Sequence, residues 1–365
     1  MVTTKVTFEM DSTAIIGVGL MCGTSQDGLD LAVVKFTPNS SRVDYEIMLT
    51  KAFGLPSKLA LSLKSGEHLN GLELSLLNNA VGLFFGDCVN QALAKTEYKP
   101  DFVASHGITI FHQPEHKLTL QIGSGAEIAA ITKLKTICDF RTSDVALGGN
   151  GAPLVPFADS ILFNDFDFTL NLGGFANISS IKSEISGFDV TVCNLALNNI
   201  IAEIGLSFDN AGNEARKGSV NSELLTSLNN LAFFKQKGPK SLGKEWFERE
   251  FLPIVQNSKI SMNDKLRTVC EHIGMQLGSH FHESEKTCLV TGGGAYNLAL
   301  IDAIKSHSKC RIELPDRELI DFKEAICFAF LGLNRLLEKQ NISKTVTGAK
   351  LNSIGGAIYL PPLAD

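Results

Sequence analysis

Apolar residues along this chain recur with two different periods, in alternating blocks. Short runs rich in Val, Ile and Leu at 14–20 ("AIIGVGL") and 30–36 ("DLAVVKF") read as strands on either side of a polar, glycine-bearing loop. "YEIMLTKAFGL" reads as a third strand, and 71–95 carries apolar residues at helical spacing, which predicts a long, largely buried helix. "DFVASHG" and "KLTLQIG" then read as short strands, "AEIAAITKL" as a helix, and "KTICDF" as another strand before the glycine cluster "LGGNGAPLVP". The pattern restarts at 167, where "DFTLNLGGFANISSI" is again strand, glycine turn, strand. Helices are predicted over "NLALNNIIAEIG", "NSELLTSLNNLAFF" and 262–282. The strand "KTCLVTGGGA" then leads into a helix at 296–305, and "KEAICFAFLGLNRLLEK" is a late apolar helix. A restart of this kind suggests a duplicated mixed α/β architecture.

Composition narrows the class. The 365 residues are 44% hydrophobic and 20% charged, with a formal net charge of −6, which fits a globular protein with two or perhaps three domains. The mild acidity lacks the concentrated basic footprint of a nucleic-acid binder. No apolar run is expected to reach the ~20 residues of a membrane span, and the first apolar run ends in glycines with no export-signal cleavage pattern. The eight cysteines are scattered through apolar segments without C-x-x-C or Cys/His spacing. They read as buried free thiols in a reducing cytoplasm, with no metal-ligand set.

Three glycine-rich turns follow predicted strands: "CGTSQDG" at 22–28, "NLGGFAN" at 171–177 and "TGGGAYN" at 291–297. Glycine lets backbone N–H groups approach a phosphate closely, and hydroxyls add uncharged donors. Each turn alone is equally compatible with an ordinary hairpin corner. Together, spread over two lobes, they fit two phosphate loops and an adenosine loop around one cleft. None has the Gly-Lys-Ser/Thr of a P-loop or the G-x-G-x-x-G dinucleotide fingerprint.

Longer segments are more specific. "GLMCGTSQDGLD", "ASHGITIFHQP", "LQIGSGAEIA", "CDFRTSDVALGGNGAPLVP", "LNLGGFANIS", "GPKSLGKEWF", "TGGGAYN", "EAICFAFLG" and "GGAIYLP" run in order from residue 17 to 362. In these segments the chain resembles the anhydro-N-acetylmuramic acid kinase family, a branch of the superfamily of sugar kinases, heat-shock chaperone ATPases and actin. The resemblance implies an α/β, two-lobed actin-like ATPase (ribonuclease H-like) fold with an interdomain cleft. One lobe is expected from 1–150 plus a C-terminal return at about 340–365, carrying the first phosphate loop and the sugar side. The other, 151–340, is expected to hold the second phosphate loop, the catalytic Asp and the adenosine loop. The implied reaction consumes ATP with Mg²⁺, hydrolyses the 1,6-anhydro bond of anhydro-N-acetylmuramic acid and phosphorylates O6, a step of cell-wall sugar recycling. The implied partners are a small sugar and ATP, with no nucleic acid or membrane, and a homodimer is an admissible assembly.

Roles carried over by the resemblance are specific. Asp189, in "GFDVT", matches the catalytic base that activates water; by local pattern alone it is a strand-end turn residue. Gly23, Thr24, Ser25, Gln26, Asp27, Gly28, Leu29 and Asp30 correspond to the first phosphate loop, with Asp27 placed to reach Mg²⁺ through water and Asp30 to cap the turn. Gly173, Gly174 and Asn177 correspond to the second phosphate loop, and Gly292, Gly293, Gly294 and Asn297 to the adenosine loop. His106, Thr109, Arg141, Asn194 and Glu324 correspond to the sugar side. Arg141 offers a fork for the lactyl carboxylate, or a structural ion pair with Asp144. Glu324 is expected at the start of the apolar helix 323–339, where an acid is favoured by the dipole alone. Lys240 and Lys244 read by default as a solvated face.

The chain departs from the family pattern beside the base. Where the family reads Phe-Asp-Thr/Cys-Gly-Pro-Gly-Asn, this chain has "FDVTVCN", which keeps Asp189 and Asn194 but loses both glycines and the proline. Val, Thr and Cys do not readily take positive φ, so the backbone there is expected to run differently. Asn198 and Ile108 replace a familiar Asp and Gln. The alternatives are therefore a kinase of the same fold for another anhydro- or amino-sugar, or a nucleotide-binding regulator that has lost its chemistry.

Overall fold

The structure is a computed structural model that describes residues 14–23, 28–38, 43–182, 184–236 and 240–363. The chain divides into two compact units, one formed by residues up to Phe163 together with Glu324 onward, the other by Asn164–Lys323. In chain order the strands are β1 (Ile15–Met21), β2 (Gly28–Pro38), β3 (Val43–Gly54), β4 (Phe102–Ser105), β5 (Ile108–Gln113), β6 (Leu118–Ile122) and β7 (Lys135–Cys138). Next come β8 (Phe168–Leu172), β9 (Phe175–Ser180), β10 (Ser186–Val192), β11 (Thr287–Thr291), β12 (Arg311–Glu313) and β13 (Ala357–Tyr359).

The first unit holds a sheet ordered β13-β7-β4-β1-β2-β3, and the second a sheet ordered β10-β9-β8-β11-β12. In the first, β1, β2 and β3 are an antiparallel meander, with β4 and β7 added in parallel beyond β1. In the second, β8, β9 and β10 are an antiparallel meander, with β11 and β12 added in parallel beyond β8. The two mixed α/β units thus repeat one topology, in which β1 and β2 correspond to β8 and β9. The repeat is the restart seen in the sequence.

Alternation along β1 explains its glycines. Val18 and Leu20 face the core beneath the Gly71–Leu93 helix, whose Leu77, Val81, Phe85 and Val89 recur every four residues. Gly17 and Gly19 face the other way. There the helix Arg317–Leu336 comes so close that a Cβ on Gly19 would run into the Ala325 carbonyl. The Gly71–Leu93 helix starts with a reciprocal capping box between Asn70 and Glu73. By length and composition it is apolar enough to cross a membrane, which corrects the expectation that no run reaches that length. Its apolar stripe is buried in the core of the first unit.

The unit boundaries fall at Phe163/Asn164 and Lys323/Glu324, whereas the sequence reading set them near 150 and 340. Packing sets them. Phe163 stacks edge-on to Tyr45 of β3 at 5.9 Å, and the Cys327 thiol donates to Asp159 Oδ1 at 3.5 Å. The late helix begins at Arg317, where Asp316 Oδ1 accepts the Leu319 N–H. Glu324 therefore lies two turns inside it, and the helix-start explanation for this acid does not hold. In the second unit the sheet buries Leu170, Leu172, Ala176, Ile178 and Val290 against the helices Asn194–Ile201, Met262–Gly278 and Leu298–His307.

Gly19→Ala is expected to destabilise the protein by about 1–3 kcal/mol through overpacking. Gly54→Ala, where an added Cβ meets nothing within 4 Å, is expected to stay within about 0.5 kcal/mol. Denaturant midpoints of the two variants check this contrast.

Candidate active site

One face of the second unit's sheet is apolar core and the other carries a polar row. Asp189 pairs with Asn177, Asn177 with Asn171, and Asn171 with Thr291. Residues directly opposite one another share a face, so the four side chains cross β10, β9, β8 and β11 together. The row ends at the two glycine turns. Thr291 Oγ1 is buried there with no hydrogen-bond partner among the described residues.

The glycines of these turns divide into two kinds. Gly292 has φ +83°, and a Cβ on it would collide with Asn171 Oδ1; on Gly294 a Cβ would lie 2.7 Å from Leu172 Cβ. The fold itself requires glycine at both. At Gly173, Gly174 and Gly293 the nearest atoms to an added Cβ lie 3.5, 4.0 and 3.7 Å away, and none of the three has a left-handed φ. Protein packing does not demand glycine there. The space left over their Cα atoms is what a closely approaching ligand uses.

Asn194 lies between the two turns. Its Nδ2 donates to the Leu172 carbonyl at 2.8 Å, and the N–H groups of Cys193, Asn194 and Leu195 donate to the carbonyls of Gly173 and Gly174. These bonds lock the second turn onto the Asn194–Ile201 helix. Asn297 is the N-cap of the Leu298–His307 helix, its Oδ1 accepting from the Leu300 N–H at 3.1 Å.

Asp189 sits in β10, at the edge of its sheet. The segment "VTVC", expected to differ from a glycine loop, continues the strand and absorbs one extra residue as a bulge at Val190, between Asp189 and Thr191. β-branched residues favour this extended backbone. Residues 240–242 lie along the free edge. The Asp189 N–H donates to the Lys240 carbonyl at 3.0 Å, while Ser241 Oγ at 3.1 Å and the Leu242 N–H at 2.9 Å both donate to Asp189 Oδ2. Burial raises the Asp189 pKa above the usual carboxylate value, against these two donors, which lower it. Ser241 and Leu242 were missed as partners of Asp189; the segment "GPKSLGKEW" drew attention only to its lysines. Lys240 is not on a solvated face: its Nζ donates to the Phe233 carbonyl at 3.1 Å and lies 4.3 Å from the centre of that ring.

In the first unit, Arg141 and His106 form one group. Arg141 Nε and Nη2 lie 3.1 and 2.8 Å from His106 Nε2, and Nη1 donates to the Gly151 carbonyl at 2.6 Å. A guanidinium only donates, so His106 Nε2 is the acceptor and Nδ1 carries the proton that goes to the Gly107 carbonyl at 3.0 Å. Burial, and then the Arg141 charge, push the His106 pKa well down, so the ring is neutral. Burial lowers Arg141 to about 10, against the raising influence of Glu324 and Asp144, so it stays cationic at neutral pH. Asp144 accepts from the Gly151 N–H and the Thr347 hydroxyl, both at 2.8 Å. Arg141 and Asp144 thus clamp Gly151 from its two sides. On the β5–β6 hairpin Thr109 and Thr119 accept from Gln121 Nε2 at 3.3 and 2.9 Å.

The first phosphate loop is only partly described. Thr24, Ser25, Gln26 and Asp27 lie outside the described residues. Gly23 ends the ascending side, and a Cβ on Gly28 would lie 2.8 Å from the Phe53 carbonyl. Leu29 is fully buried in the core and pairs with Phe53 in the sheet, so it does not offer itself to a ligand, which corrects its place among the phosphate-loop residues. Asp30 pairs with Met21 and Ala52 within the sheet. Among the described residues no group of three His, Cys, Asp or Glu could hold a metal ion.

A family model described as anhydro-N-acetylmuramic acid kinase matches residues 15–361. The anhydro-N-acetylmuramic acid kinase of Bacillus cereus (strain B4264) is 33% identical over 386 positions, covering 95% of this chain and 97% of its own length. That of Coxiella burnetii (strain Dugway 5J108-111) is 34% identical over 366 positions, covering 94% of this chain and 96% of its own. Among solved structures, the activator of the 2-hydroxyisocaproyl-CoA dehydratase from Clostridium difficile with bound ADPNP aligns with 90% of this chain. Its TM-score is 0.44 and its identity 11%, too loose a likeness to bear on the site.

The two kinds of glycine are expected to respond differently to alanine. Gly292→Ala should cost about 1–3 kcal/mol of stability through strain and overlap. Gly173→Ala should stay within about 0.5 kcal/mol, as read from thermal unfolding of the two variants.

Proposed function

Because the chain belongs to the anhydro-N-acetylmuramic acid kinase family, we propose that it opens 1,6-anhydro-N-acetylmuramic acid with water and phosphorylates O6 from ATP. The products are N-acetylmuramic acid 6-phosphate and ADP. The observation that carries this reading is the Asp189 carboxylate, half-buried, with one oxygen engaged by Ser241 and Leu242 and a row of polar side chains leading from it to the glycine turns.

Asp189 takes a proton from water as the water oxygen bonds to the anomeric carbon. The C1–O6 bond breaks, and its electron pair passes to O6. O6 then takes the γ-phosphoryl group in line, ADP departs, and the proton on Asp189 goes to solvent. Ser241 and Leu242 orient the carboxylate through Oδ2, which directs Oδ1 to the water. The open Cα surfaces of Gly173, Gly174 and Gly293, together with the unpartnered hydroxyl of Thr291, support nucleotide binding at the second unit's turns. Among the described residues no cluster of acids or histidines would hold a metal by itself, so Mg²⁺ would be held chiefly by phosphate and water oxygens. When bound it neutralises charge on the phosphates. In the first unit, Arg141 is a cation already fixed by His106 and Gly151, suited to the lactyl carboxylate of the sugar.

The deciding experiment is ³¹P NMR of the product formed from ATP and the anhydro sugar, where a phosphomonoester at O6 is expected. ADP release from other anhydro- or amino-sugars but not from this one would transfer the reading to a different substrate. ADP release from none would leave a nucleotide binder.

Asp189→Asn should lower sugar-dependent ADP release by about 10²–10⁴-fold and leave ATP affinity unchanged, as measured by calorimetry. The base works ionised. Its raised pKa therefore moves the acidic limb of kcat/KM above the pH of an ordinary Asp, and activity falls as pH drops through that limb. Ser241→Ala removes a donor that lowers this pKa, so the limb should move further toward neutral pH in the pH–rate profile.

A further inference from the structure

Behind Asp189, on the core side of β10, lies a polar chain inside an otherwise apolar interior. Thr191 and His272 are both fully buried. His272, on the Met262–Gly278 helix, packs against Phe234 and Phe251 with ring centroids at 4.8 and 5.6 Å. Its Nδ1 lies 2.7 Å from Asn229 Oδ1, and its Nε2 lies 3.3 Å from Thr191 Oγ1. Gln276 Nε2 also donates to Asn229 Oδ1, at 2.9 Å. The Thr191 hydroxyl also lies 3.3 Å from the Val192 carbonyl, so its one proton is shared between two acceptors. Asn229 Oδ1 only accepts, so His272 Nδ1 carries the proton; Nε2 of the neutral ring then accepts from the Thr191 hydroxyl. Burial alone, which lowers the His272 pKa to about 3, agrees with that neutral form.

The chain ends where β10 is irregular. Thr191, not Val190, stands opposite Ala176, and the residue inserted between Asp189 and Thr191 is the bulge. Valine would fill the Thr191 position as well by volume, and an apolar side chain in place of His272 would spare the core a desolvated imidazole. What the hydroxyl adds is a register mark. Val190 and Val192 on either side are buried in the same core, so apolar packing does little to decide which of the three residues stands opposite Ala176. A slip of one residue turns side chains to the opposite face. Only Thr191 can satisfy His272 Nε2, and a fully satisfied buried network selects a single arrangement.

We propose that the Thr191–His272–Asn229 chain is a positioning device for Asp189: it holds the bulge at Val190 and thereby aims the carboxylate at Ser241 and Leu242 along the strand edge. The proposal rests on the reading of Asp189 as the base. It also accounts for the departure of this chain from the family's glycine-proline loop, because a bulged strand pinned from beneath takes over the task of a rigid turn. Thr191 and His272 touch no reacting atom; they act through Asp189.

Thr191→Val, which keeps the volume and removes the hydroxyl, tests the device, with Thr191→Ser as the rescue. In Thr191→Val, kcat should fall by about tenfold to a hundredfold, with KM for sugar and for ATP within about twofold, and Thr191→Ser should restore it. A second readout needs no substrate. The Leu242 amide, which donates to Asp189 Oδ2, should exchange with deuterium at least about tenfold faster in Thr191→Val, while the Val290 amide in the same sheet keeps its rate. Should Thr191→Val disturb folding, His272→Leu makes the same test from the other end. Leu242 exchange at the wild-type rate in the folded variant overturns the proposal, whatever turnover does. Wild-type protein that releases no ADP with any sugar overturns the functional reading instead, and the exchange result then judges the positioning chain by itself.

Discussion

A carboxylate that must stay ionised while losing much of its water constrains everything around it. Burial raises the free energy of the charged form of Asp189, and hydrogen bonds to that form return part of it. Both donors fall on one oxygen, one from the Ser241 hydroxyl and one from the Leu242 backbone. The carboxylate is therefore held without being saturated. The strap that supplies these donors is itself tied down, through the Lys240 carbonyl to β10 and through Lys240 Nζ to Phe233. In the proposed role of base, Asp189 combines a fixed direction with a raised pKa, the two requirements of proton transfer.

The glycine turns follow from the same constraint. On the proposed reading a triphosphate brings charge and bulk against the backbone, and turns that meet one need bare Cα atoms. Gly292 and Gly294 are glycines for the fold's own reasons, one by its left-handed φ and both by close contact with β8. Gly173, Gly174 and Gly293 have neither reason. The fold therefore positions the turns with some glycines and leaves others open. In the first unit, Arg141 is treated similarly. Its charge survives burial because the negative charges of Glu324 and Asp144 favour it, while neutral His106 and the Gly151 carbonyl accept hydrogen bonds from its N–H groups and Asp144 secures the same glycine by its N–H.

Much of this was legible before any coordinates. The strand, glycine turn, strand restart at 167 is the second β-meander, and the apolar period of 71–93 is the helix that covers the first sheet. The run "AIIGVGL" reads as a strand and is β1, glycines included. What the linear pattern does not show is why they are glycines: at Gly17 a Cβ would meet the Phe102 ring, and at Gly19 the backbone of a helix near the other end of the chain. Glu324 was placed at a helix start because the apolar pattern was read from 323; the helix begins earlier, at Arg317, where Asp316 accepts the Leu319 N–H.

The sequence by itself determined the opening strands, the long buried helix, the repeated unit and the family, because periodicity and turn chemistry are local and survive in the linear pattern; the short strands β5, β10, β12 and β13 carried no such period. Tertiary structure decided which glycines serve packing and which stand open, which residues complete Asp189, and how "VTVC" replaces a glycine loop. Those outcomes depend on strand register and on hydrogen bonds between residues far apart in the chain, such as Asp189 with Leu242 and Thr191 with His272. No local period encodes such a pairing; it exists only once the sheet has chosen its register and the helices have closed over it.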